Sequence, residues 1–480
     1  GSFEIDVNVA NRTRKGKYYI EVELWNPNGK VIDKMGRWAF FDKRTEATVS
    51  MDNQFSSILP WSAESPNLYT VVIRVLDKDM QLIESAGTRV GFRSLEMNDG
   101  RFLLNGRPVT LRGVVYADYT QGADGILSRE RMLADVKMMK QNNINAVRTA
   151  YYSPIDPYFY ELCDEYGLYV VCDANIQPFS NTTKAIATDN DYSNLFVVRA
   201  QNMYERYKNH TSIIAWSLGM GRDNGACMTL AYKELKRRDA TRPTFFSGAE
   251  YGENSDFIAL NSGSTAQIRQ YLAKPQSRPC LMASFGSAQG NTFGGMERLW
   301  LQVRDRENLQ GGFVDCWNPV VYYNMQEQKL EHRPGLVDEQ QNASPALQEL
   351  RGIYRPVDVR LLSLSADAGE FSISNLSDFS PLSDYILEYR IFTNLKPRII
   401  EGEVNIPVPA GETRKHKLSI PKLMLYSGEE LFIRFTLRQR HATEAVPKGT
   451  ELCSFFFQLP METVDKQPLP QYNRRPITLQ

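Results

Sequence analysis

Acidic side chains at the ends of short apolar runs are the first candidates for chemistry in this 480-residue sequence. Asp118, Asp173, Asp223 and Asp315 all stand at or just beyond such runs. Two carboxyl groups held close together can perform acid–base or nucleophilic chemistry, because one can donate a proton while the other accepts one or attacks. A solvated or hydrogen-bonded loop carboxylate is the simpler interpretation of each residue, so a structural role remains the alternative to catalysis.

Histidine and cysteine, which bind most transition metals, offer little to build on. None of the four histidines stands at HxxxH or HxH spacing, and the six cysteines show no CxxC spacing. These observations predict neither a metal site nor a cofactor. The cysteines are expected to be buried free thiols: Cys163, Cys172, Cys227, Cys280, Cys316 and Cys453.

The charge balance restricts the class of partner. Lys+Arg and Asp+Glu both number 56, so the formal net charge is zero and no long-range field attracts nucleic acid or an anionic membrane. No stretch of about 18 apolar residues is present. The first residues do not form a signal peptide. An export signal could have been removed from the mature protein, so cytoplasmic, periplasmic and secreted locations all stay open. The oligomeric state is equally open.

Three segments with different hydrophobic periods organise the chain. Up to about residue 93, apolar and polar residues alternate, which predicts a small immunoglobulin-like β-sandwich. Between residues 94 and 352, eight short apolar runs alternate with helical patterns, which predicts a (β/α)8 TIM barrel whose site lies at the carboxyl ends of its strands. The predicted barrel strands are 109–114, 145–148, 169–172, 213–217, 244–247, 257–261, 280–284 and 311–317.

The helix after the second barrel strand shows the clearest start signal. Ser153 can cap it and Pro154 suits its first position, while apolar residues recur at 159, 162, 163 and 166. Alternation returns in residues 353–462 and predicts a second immunoglobulin-like β-sandwich, followed by an extended tail or linker at 463–480. The predicted fold class is therefore a multidomain α/β and β chain, with a central barrel flanked by two sandwiches.

Several short sequence motifs resemble those of glycoside hydrolase family 2, the family of β-galactosidases and β-glucuronidases. They include Asn-Gly-Arg-Pro-Val at 105–109, Asn-Ala-Val-Arg-Thr at 145–149 and Trp-Ser-Leu-Gly at 216–219. The resemblance covers most of the chain, and the order sandwich, barrel, sandwich is that of the middle of such an enzyme. It also implies that the family's amino-terminal jelly-roll domain, which helps to form the sugar site, is missing. Further motifs that resemble the family lie at 61–69, 90–93, 163–171, 208–214, 290–291, 311–313, 355–357 and 373–375.

The resemblance implies two catalytic glutamates, and both positions hold other residues. The family's acid/base glutamate is the last residue of the motif Trp-Ser-Leu-Gly-Asn-Glu, whereas residues 216–221 end in Gly221. The nucleophile is expected at the end of the seventh strand, where residues 279–285 place Ser284. Neither side chain can perform the role of a carboxylate. Other strand-end words that depart from the family lie at 115–118, 151–153, 172–177, 261–262, 287 and 315–317.

Binding is easier to retain than catalysis, because carbohydrates dock on aromatic faces with polar groups at the rim. Tyr119 and the aromatic residues among the candidates are expected near the barrel mouth, and the alternative is that these rings fill the vacated pocket by packing. The sugar-binding candidates are Tyr116, Asp118, Tyr151, Tyr152, Asp173, Asn175 and Trp317.

The sequence supports three hypotheses. The favoured one is a catalytically inactive family member that binds a glycan or a protein partner, with an oligosaccharide or glycoside as the expected ligand. The second is an active retaining glycosidase that uses relocated carboxylates such as Asp223 or Asp173. The third is a scaffold protein with no sugar ligand. Ser284 as a serine nucleophile is disfavoured, because no histidine stands at a strand end to activate it.

Overall fold

The structure is a computed structural model. It describes residues 1–12, 15–42, 45–117, 127–150, 156–176, 183–221, 223–261, 263–290, 293–324, 329–365, 367–395, 397, 399–405, 407–420, 425 and 428–459. The chain divides into two units, residues 1–354 and 355–480, and each is described by itself. The predicted tail at 463–480 lies outside the described residues.

The first unit begins with a β-sandwich built on alternating apolar residues. Strand β1 pairs with β4, and the second sheet has the order β3-β2-β5-β6. Ile20, Val22 and Leu24 of β2 are fully buried, as period-two alternation predicts. The six strands are β1 (Ser2–Ala10), β2 (Gly16–Trp25), β3 (Val31–Phe41), β4 (Glu46–Gln54), β5 (Tyr69–Leu76) and β6 (Leu82–Val90).

A small antiparallel sheet of β7 (Leu95–Asn98), β8 (Arg101–Leu104) and β9 (Arg107–Pro108) leads into the barrel. All eight predicted barrel strands are present and run parallel. Their order, β14-β13-β12-β11-β10-β17-β16-β15, gives a nearly closed sheet that opens between the first and last strands of this order. The strands are β10 (Leu111–Tyr116), β11 (Ala146–Thr149), β12 (Tyr169–Asp173), β13 (Ile213–Ser217), β14 (Thr244–Phe245), β15 (Ile258–Leu260), β16 (Cys280–Ser287) and β17 (Leu309–Asp315).

Amphipathic helices connect the barrel strands and bury one face against them. The helix after the second strand begins later than predicted, because Asp156 caps it and Pro157 occupies its first turn. The predicted cap Ser153 lies outside the described residues. The helices are α1 (Arg129–Gln141), α2 (Pro157–Tyr166), α3 (Thr183–Thr188), α4 (Ser193–Tyr207), α5 (Ala226–Arg238), α6 (Thr265–Leu272), α7 (Met296–Arg304) and α8 (Pro345–Ile353).

The first sandwich contacts the barrel at the amino-terminal ends of its strands. The Trp61 indole is fully buried and donates a hydrogen bond to the Asp164 carbonyl oxygen at 2.8 Å. The Arg93 guanidinium donates to the carbonyl oxygens of Thr211 and Ile213, at 2.6 and 2.7 Å, where β13 begins. Buried side chains from one domain therefore satisfy backbone acceptors of the other.

A lysine completes this junction. Lys140, in the last turn of α1, donates hydrogen bonds of 2.8 Å to the carbonyl oxygens of Ala63 and Gly167. Burial lowers the pKa of the Lys140 ammonium to about 8, while the nearby Glu64 carboxylate opposes that shift. The junction thus holds a cation whose charge is costly to bury.

A β-hairpin follows the eighth barrel strand and precedes α8. It consists of β18 (Val320–Asn324) and β19 (Lys329–Arg333). At its base, Arg333 pairs with Asp315, which ends β17, with 3.0 Å between guanidinium nitrogen and carboxylate oxygen. The hairpin therefore starts and ends at the carboxyl end of the barrel.

The second unit is an antiparallel β-sandwich. Its sheets have the orders β20-β21-β24 and β23-β22-β25-β26. The predicted barrel with two flanking sandwiches is thereby confirmed as the fold class, while the individual domain boundaries stay predictions. The strands are β20 (Val357–Leu364), β21 (Ala368–Asn375), β22 (Tyr385–Thr393), β23 (Ile400–Glu403), β24 (Thr413–Ser419), β25 (Leu431–Gln439) and β26 (Glu451–Leu459).

All six cysteines are buried and none forms a disulfide, as the sequence predicts. Burial raises the pKa of Cys172 to about 12, since the thiolate would lose its solvation. At neutral pH this thiol is protonated and unreactive.

Candidate functional site

An arginine fills the centre of the barrel at the carboxyl ends of its strands. Arg148, near the end of β11, is 0% exposed and forms a two-pronged ion pair with Asp173 at the end of β12. Its Nε donates to Asp173 Oδ1 at 3.0 Å, and its Nη2 donates to Oδ2 at 2.9 Å. This geometry engages both carboxylate oxygens at once and fixes the plane of the guanidinium.

The same guanidinium reaches across to the fourth and seventh strands. Arg148 Nη1 donates to the Ala283 carbonyl oxygen at 3.0 Å, and Nη2 donates to the Gly219 carbonyl oxygen at 3.1 Å. The Phe245 ring lies 5.0 Å from the guanidinium carbon. Ala283 immediately precedes Ser284, and Gly219 lies two residues before Gly221. One side chain therefore connects the backbone beside both positions where the family resemblance expects a glutamate.

Asp173 is held as the counter-ion of this arginine. It is 2% exposed, and its backbone N–H donates to Thr149 Oγ1 at 3.2 Å. Burial raises the pKa of the Asp173 carboxyl, while the Arg148 guanidinium opposes that shift. Both carboxylate oxygens of Asp173 therefore accept hydrogen bonds from Arg148.

The loop after the fourth strand is too tight for most side chains. Gly219 has a φ of +97°, and a Cβ there would lie 2.0 Å from the Ile176 carbonyl oxygen. Two residues later, Gly221 is partly buried, and its carbonyl oxygen accepts a hydrogen bond from Ser247 Oγ at 3.3 Å. A short hydroxyl side chain thus packs against the backbone of Gly221.

The seventh strand continues past the position expected for the nucleophile. Ser284 is partly buried within β16, which runs to Ser287. His210 lies before β13, at the opposite end of the barrel, where its Nδ1 is 2.8 Å from Asp164 Oδ2. That contact gives His210 a structural role at the sandwich junction and leaves it remote from Ser284.

Two aromatic candidates lie in the core, and their predicted place at the barrel mouth is wrong. Tyr116 is 0% exposed, stacks on Phe159 of α2 with ring centroids 4.2 Å apart, and donates to Asp135 of α1 at 3.2 Å. Trp317 is also 0% exposed and belongs to the same apolar core. The physical reason is that the helix layer offers these rings more apolar contact than the solvent-facing mouth does. Neither ring face is free for a ligand.

The polar candidates have different surroundings. Asn175 is exposed beyond β12, and Asp223 is partly buried in the loop after β13. Asp315 is bound by Arg333 and accepts a contact from Cys316 Sγ at 3.2 Å. Tyr119 lies outside the described residues, and so do three of the predicted sugar-binding residues: Asp118, Tyr151 and Tyr152.

Arg148 was not predicted as a site residue, because residues 145–149 were interpreted only as a motif of the barrel framework. The available signal was a charged side chain in a run predicted as a buried barrel strand. A buried charge requires a partner, and Asp173, at the end of the next strand, supplies it. That partnership depends on strand order, which the local sequence does not contain.

Two negative findings concern the part of the chain that the structure describes. Within it, no group of three or more histidine, cysteine, aspartate or glutamate residues could hold a metal ion. No described helix is both long and apolar enough to cross a membrane.

Comparison with family models assigns all three folded segments. A model for the glycosyl hydrolases family 2 TIM barrel domain matches residues 95–359, and a further glycosyl hydrolases family 2 model matches residues 1–93. A model for domain 4 of β-galactosidase matches residues 371–460. The barrel model alone covers more than half of the chain.

Curated relatives and solved structures agree with this assignment. A β-galactosidase of Priestia megaterium is 30% identical over 475 residues, which are 92% of this chain and 45% of that protein. A β-galactosidase of Psychromonas ingrahamii is 34% identical over 341 residues, 66% of this chain and 33% of that protein. The chain thus spans less than half the length of either relative.

The structural matches are more distant in sequence and carry the fold alone. A Bacteroides uniformis β-glucuronidase superposes with a TM-score of 0.66 at 15% identity, covering 95% of this chain and 59% of that one. An Eisenbergiella tayi β-galacturonidase bound to galacturonate superposes with a TM-score of 0.59 at 19% identity, covering 73% and 69%.

Proposed function

Because this chain belongs to glycoside hydrolase family 2, we propose that it is a catalytically inactive member whose barrel serves as a glycan-binding module. The observation that carries the proposal is the pair Gly221 and Ser284, which stand where the family resemblance leads us to expect the two glutamates. The backbone beside both positions is bonded to Arg148. Without two ionisable groups on opposite sides of a glycosidic bond, a retaining mechanism has neither its acid/base nor its nucleophile.

The described carboxylates support inactivity over a relocated mechanism. Asp173 already accepts two hydrogen bonds from Arg148, and Asp315 is paired with Arg333. Moving the Asp173 carboxylate toward a sugar would separate the buried Arg148 guanidinium from its counter-ion, at a cost comparable to breaking a buried ion pair. Asp223 is the remaining candidate for the alternative, an active retaining glycosidase.

Glycan binding is favoured over a scaffold role by ancestry and by the site's polarity. The relatives named as β-galactosidases act on sugars, and one superposed structure holds galacturonate. Beyond the buried arginine, the strand ends carry hydroxyl and amide groups, Ser284 and Asn175, suited to hydrogen bonds with sugar hydroxyls. A protein partner at the same face is the further alternative.

Turnover assays on the whole chain test inactivity. Nitrophenyl β-galactoside, β-glucuronide, β-mannoside and the corresponding α-glycosides are expected to give no release above buffer. Asp223→Asn separates residual catalysis from contamination, with Asp191→Asn, an exposed aspartate after α3, as its matched control. Turnover lost in Asp223→Asn and kept in Asp191→Asn would overturn the proposal in favour of the active glycosidase.

Binding is tested separately by calorimetry with galactose-, glucuronate- and mannose-containing oligosaccharides. At least one is expected to bind the wild-type chain and to fail to bind Ser284→Tyr, whose larger side chain occupies the space between the strand ends. Matching thermal unfolding of the two proteins shows that the barrel is intact. Absence of binding to every oligosaccharide would favour the scaffold hypothesis.

A further inference from the structure

The second sandwich carries a polar groove on the open face of its four-stranded sheet, β23-β22-β25-β26. The opposite face buries the apolar residues of these strands, such as Ile391 and Phe435. The groove has a volume of about 450 Å³, which lies within the range of small-molecule sites. Three arginines and three glutamates line it: Glu388, Arg390, Glu401, Glu403, Arg434 and Arg438.

The strand register places like charges directly opposite one another in this groove. Arg390 of β22 is the register partner of Arg434 of β25, and Glu388 of β22 is the register partner of Glu403 of β23. Directly opposed like charges destabilise a strand pair. The same register also places opposite charges together, Arg390 beside Glu401 and Arg438 beside Glu451, so the face interleaves both signs while retaining two like-charge contacts.

Ion pairs hold several of these side chains: Arg438 pairs with Glu388 at 3.0 Å, and Arg434 pairs with Glu451 at 2.7 Å. Arg390 approaches Glu401 at 3.8 Å, and the two side chains are 54% and 41% exposed. Glu403 makes no ion pair with any residue in the described ranges. Exposed pairs of this kind contribute little to stability. Arg390 and Glu403 therefore keep donor and acceptor groups that these ion pairs do not use.

An aromatic ring borders the groove at one edge. Phe456 of β26 is the register partner of Arg434, and it is 61% exposed. The Arg434 guanidinium carbon lies 5.2 Å from the centroid of this ring. The row across the sheet thus runs from carboxylate through two guanidiniums to an exposed aromatic face.

We propose that this groove binds a short neutral saccharide. Guanidiniums donate hydrogen bonds to hydroxyl oxygens and carboxylates accept them from hydroxyl groups, so vicinal hydroxyls match alternating arginines and glutamates. Three positive and three negative side chains line the groove, which favours a ligand without net charge. The Phe456 ring offers a surface for the apolar face of a sugar ring. The site lies wholly in the second unit and does not depend on the function proposed for the barrel.

Calorimetric titration of the whole chain with cellotetraose, xylotetraose, β-1,4-galactotetraose and β-1,4-mannotetraose tests the proposal. At least one of these probes is expected to bind, and Arg390→Ala is expected to weaken that binding at least tenfold. Arg414→Ala is the matched control, because Arg414 is also 54% exposed and pairs with Glu412 in the other sheet of the sandwich. It is expected to leave binding unchanged.

Glu403→Gln separates a ligand site from a structural salt-bridge face. Because Glu403 forms no ion pair with a described residue and opposes Glu388, its neutralisation is expected to leave the Tm unchanged or raise it while saccharide binding weakens. A lowered Tm with unaltered binding would overturn the proposal. So would absence of binding to all four probes, or binding abolished by Ser284→Tyr and kept in Arg390→Ala, which would locate the saccharide in the barrel instead.

Discussion

The two ends of the barrel differ in what their family-like residues contact. At the amino-terminal end, residues from family words make buried contacts between the sandwich and the barrel, as in the bond from Trp61 to Asp164. At the carboxyl end, the family word at 145–149 also persists, but its arginine now pairs with Asp173 between positions that hold Gly221 and Ser284.

This difference teaches that the contacts that hold the barrel together are separable from the groups that would perform chemistry in it. The amino-terminal end buries side chains that satisfy backbone acceptors, so changes there cost folding free energy. Loop residues at the carboxyl end can change without loss of the barrel, provided that buried charges remain paired. The Arg148–Asp173 pair is therefore where this separation can be tested most severely.

Asp173→Asn is expected to have the largest effect on this comparison. It leaves the Arg148 guanidinium buried without a counter-ion, which should lower the free energy of unfolding by about 3–5 kcal/mol. Urea unfolding followed by tryptophan fluorescence measures the change. If the loss is below about 1 kcal/mol, the pair does not hold the carboxyl end together.

A double variant sharpens that result. Arg148→Met combined with Asp173→Leu removes both charges and should recover most of the stability lost in Asp173→Asn, because the desolvation penalty disappears with them. Asp191→Asn, at an exposed position, serves as the control for removal of an aspartate and should lie within about 0.5 kcal/mol of wild type.

The amino-terminal end is expected to respond to pH through Lys140. Its pKa of about 8 in the folded chain lies below the ordinary lysine value of 10.5, so the unfolded chain binds more protons between these values. The stability penalty is full below pH 8 and is relieved as pH rises. Between pH 8 and pH 10, wild type should gain about 2 kcal/mol relative to Lys140→Met.

Unfolding of both proteins in urea across this pH range measures the difference, and Lys137→Met on the same helix controls for general loss of a lysine. Parallel stability curves for wild type and Lys140→Met would show that the charge of this side chain is not felt at the junction.

Tyr116→Phe should have the smallest effect. It keeps the stacked ring on Phe159 and removes only the hydroxyl bonded to Asp135, with an expected loss of about 1 kcal/mol. Oligosaccharide binding, measured by calorimetry, should be unchanged, since the residue lies in the core. A selective loss of binding at wild-type stability would return Tyr116 to the list of ligand contacts.

Much of the fold was predictable because it depends on local periodicity. The alternation in β2 and the eight apolar runs of the barrel gave the correct element types, and the strand Ile213–Ser217 was predicted with its observed bounds. The predicted start of α2 was wrong. Two pairs of a capping residue and a proline lie three residues apart, and the later pair, Asp156 and Pro157, begins the helix. Local signals alone do not rank two competing caps.

The site was less predictable, since it depends on which way side chains point and on what lies across the barrel. Tyr116 ends a strand that is buried on both faces, so alternation of burial cannot distinguish the barrel interior from the helix layer. Asp173 was recognised as a strand-end carboxylate, but its engagement by Arg148 follows from the order of β11 and β12.

The sequence by itself determined the family, and the prediction that Gly221 and Ser284 replace the two family glutamates rests on residue identities, which need no coordinates. Only the tertiary structure decided which partners the buried charged side chains have. Arg148 meets Asp173, Gly219 and Ala283 from three other positions of the barrel. A buried ion's partners are set by distances in space, and the chain brings those atoms together only when the parallel strands close around it.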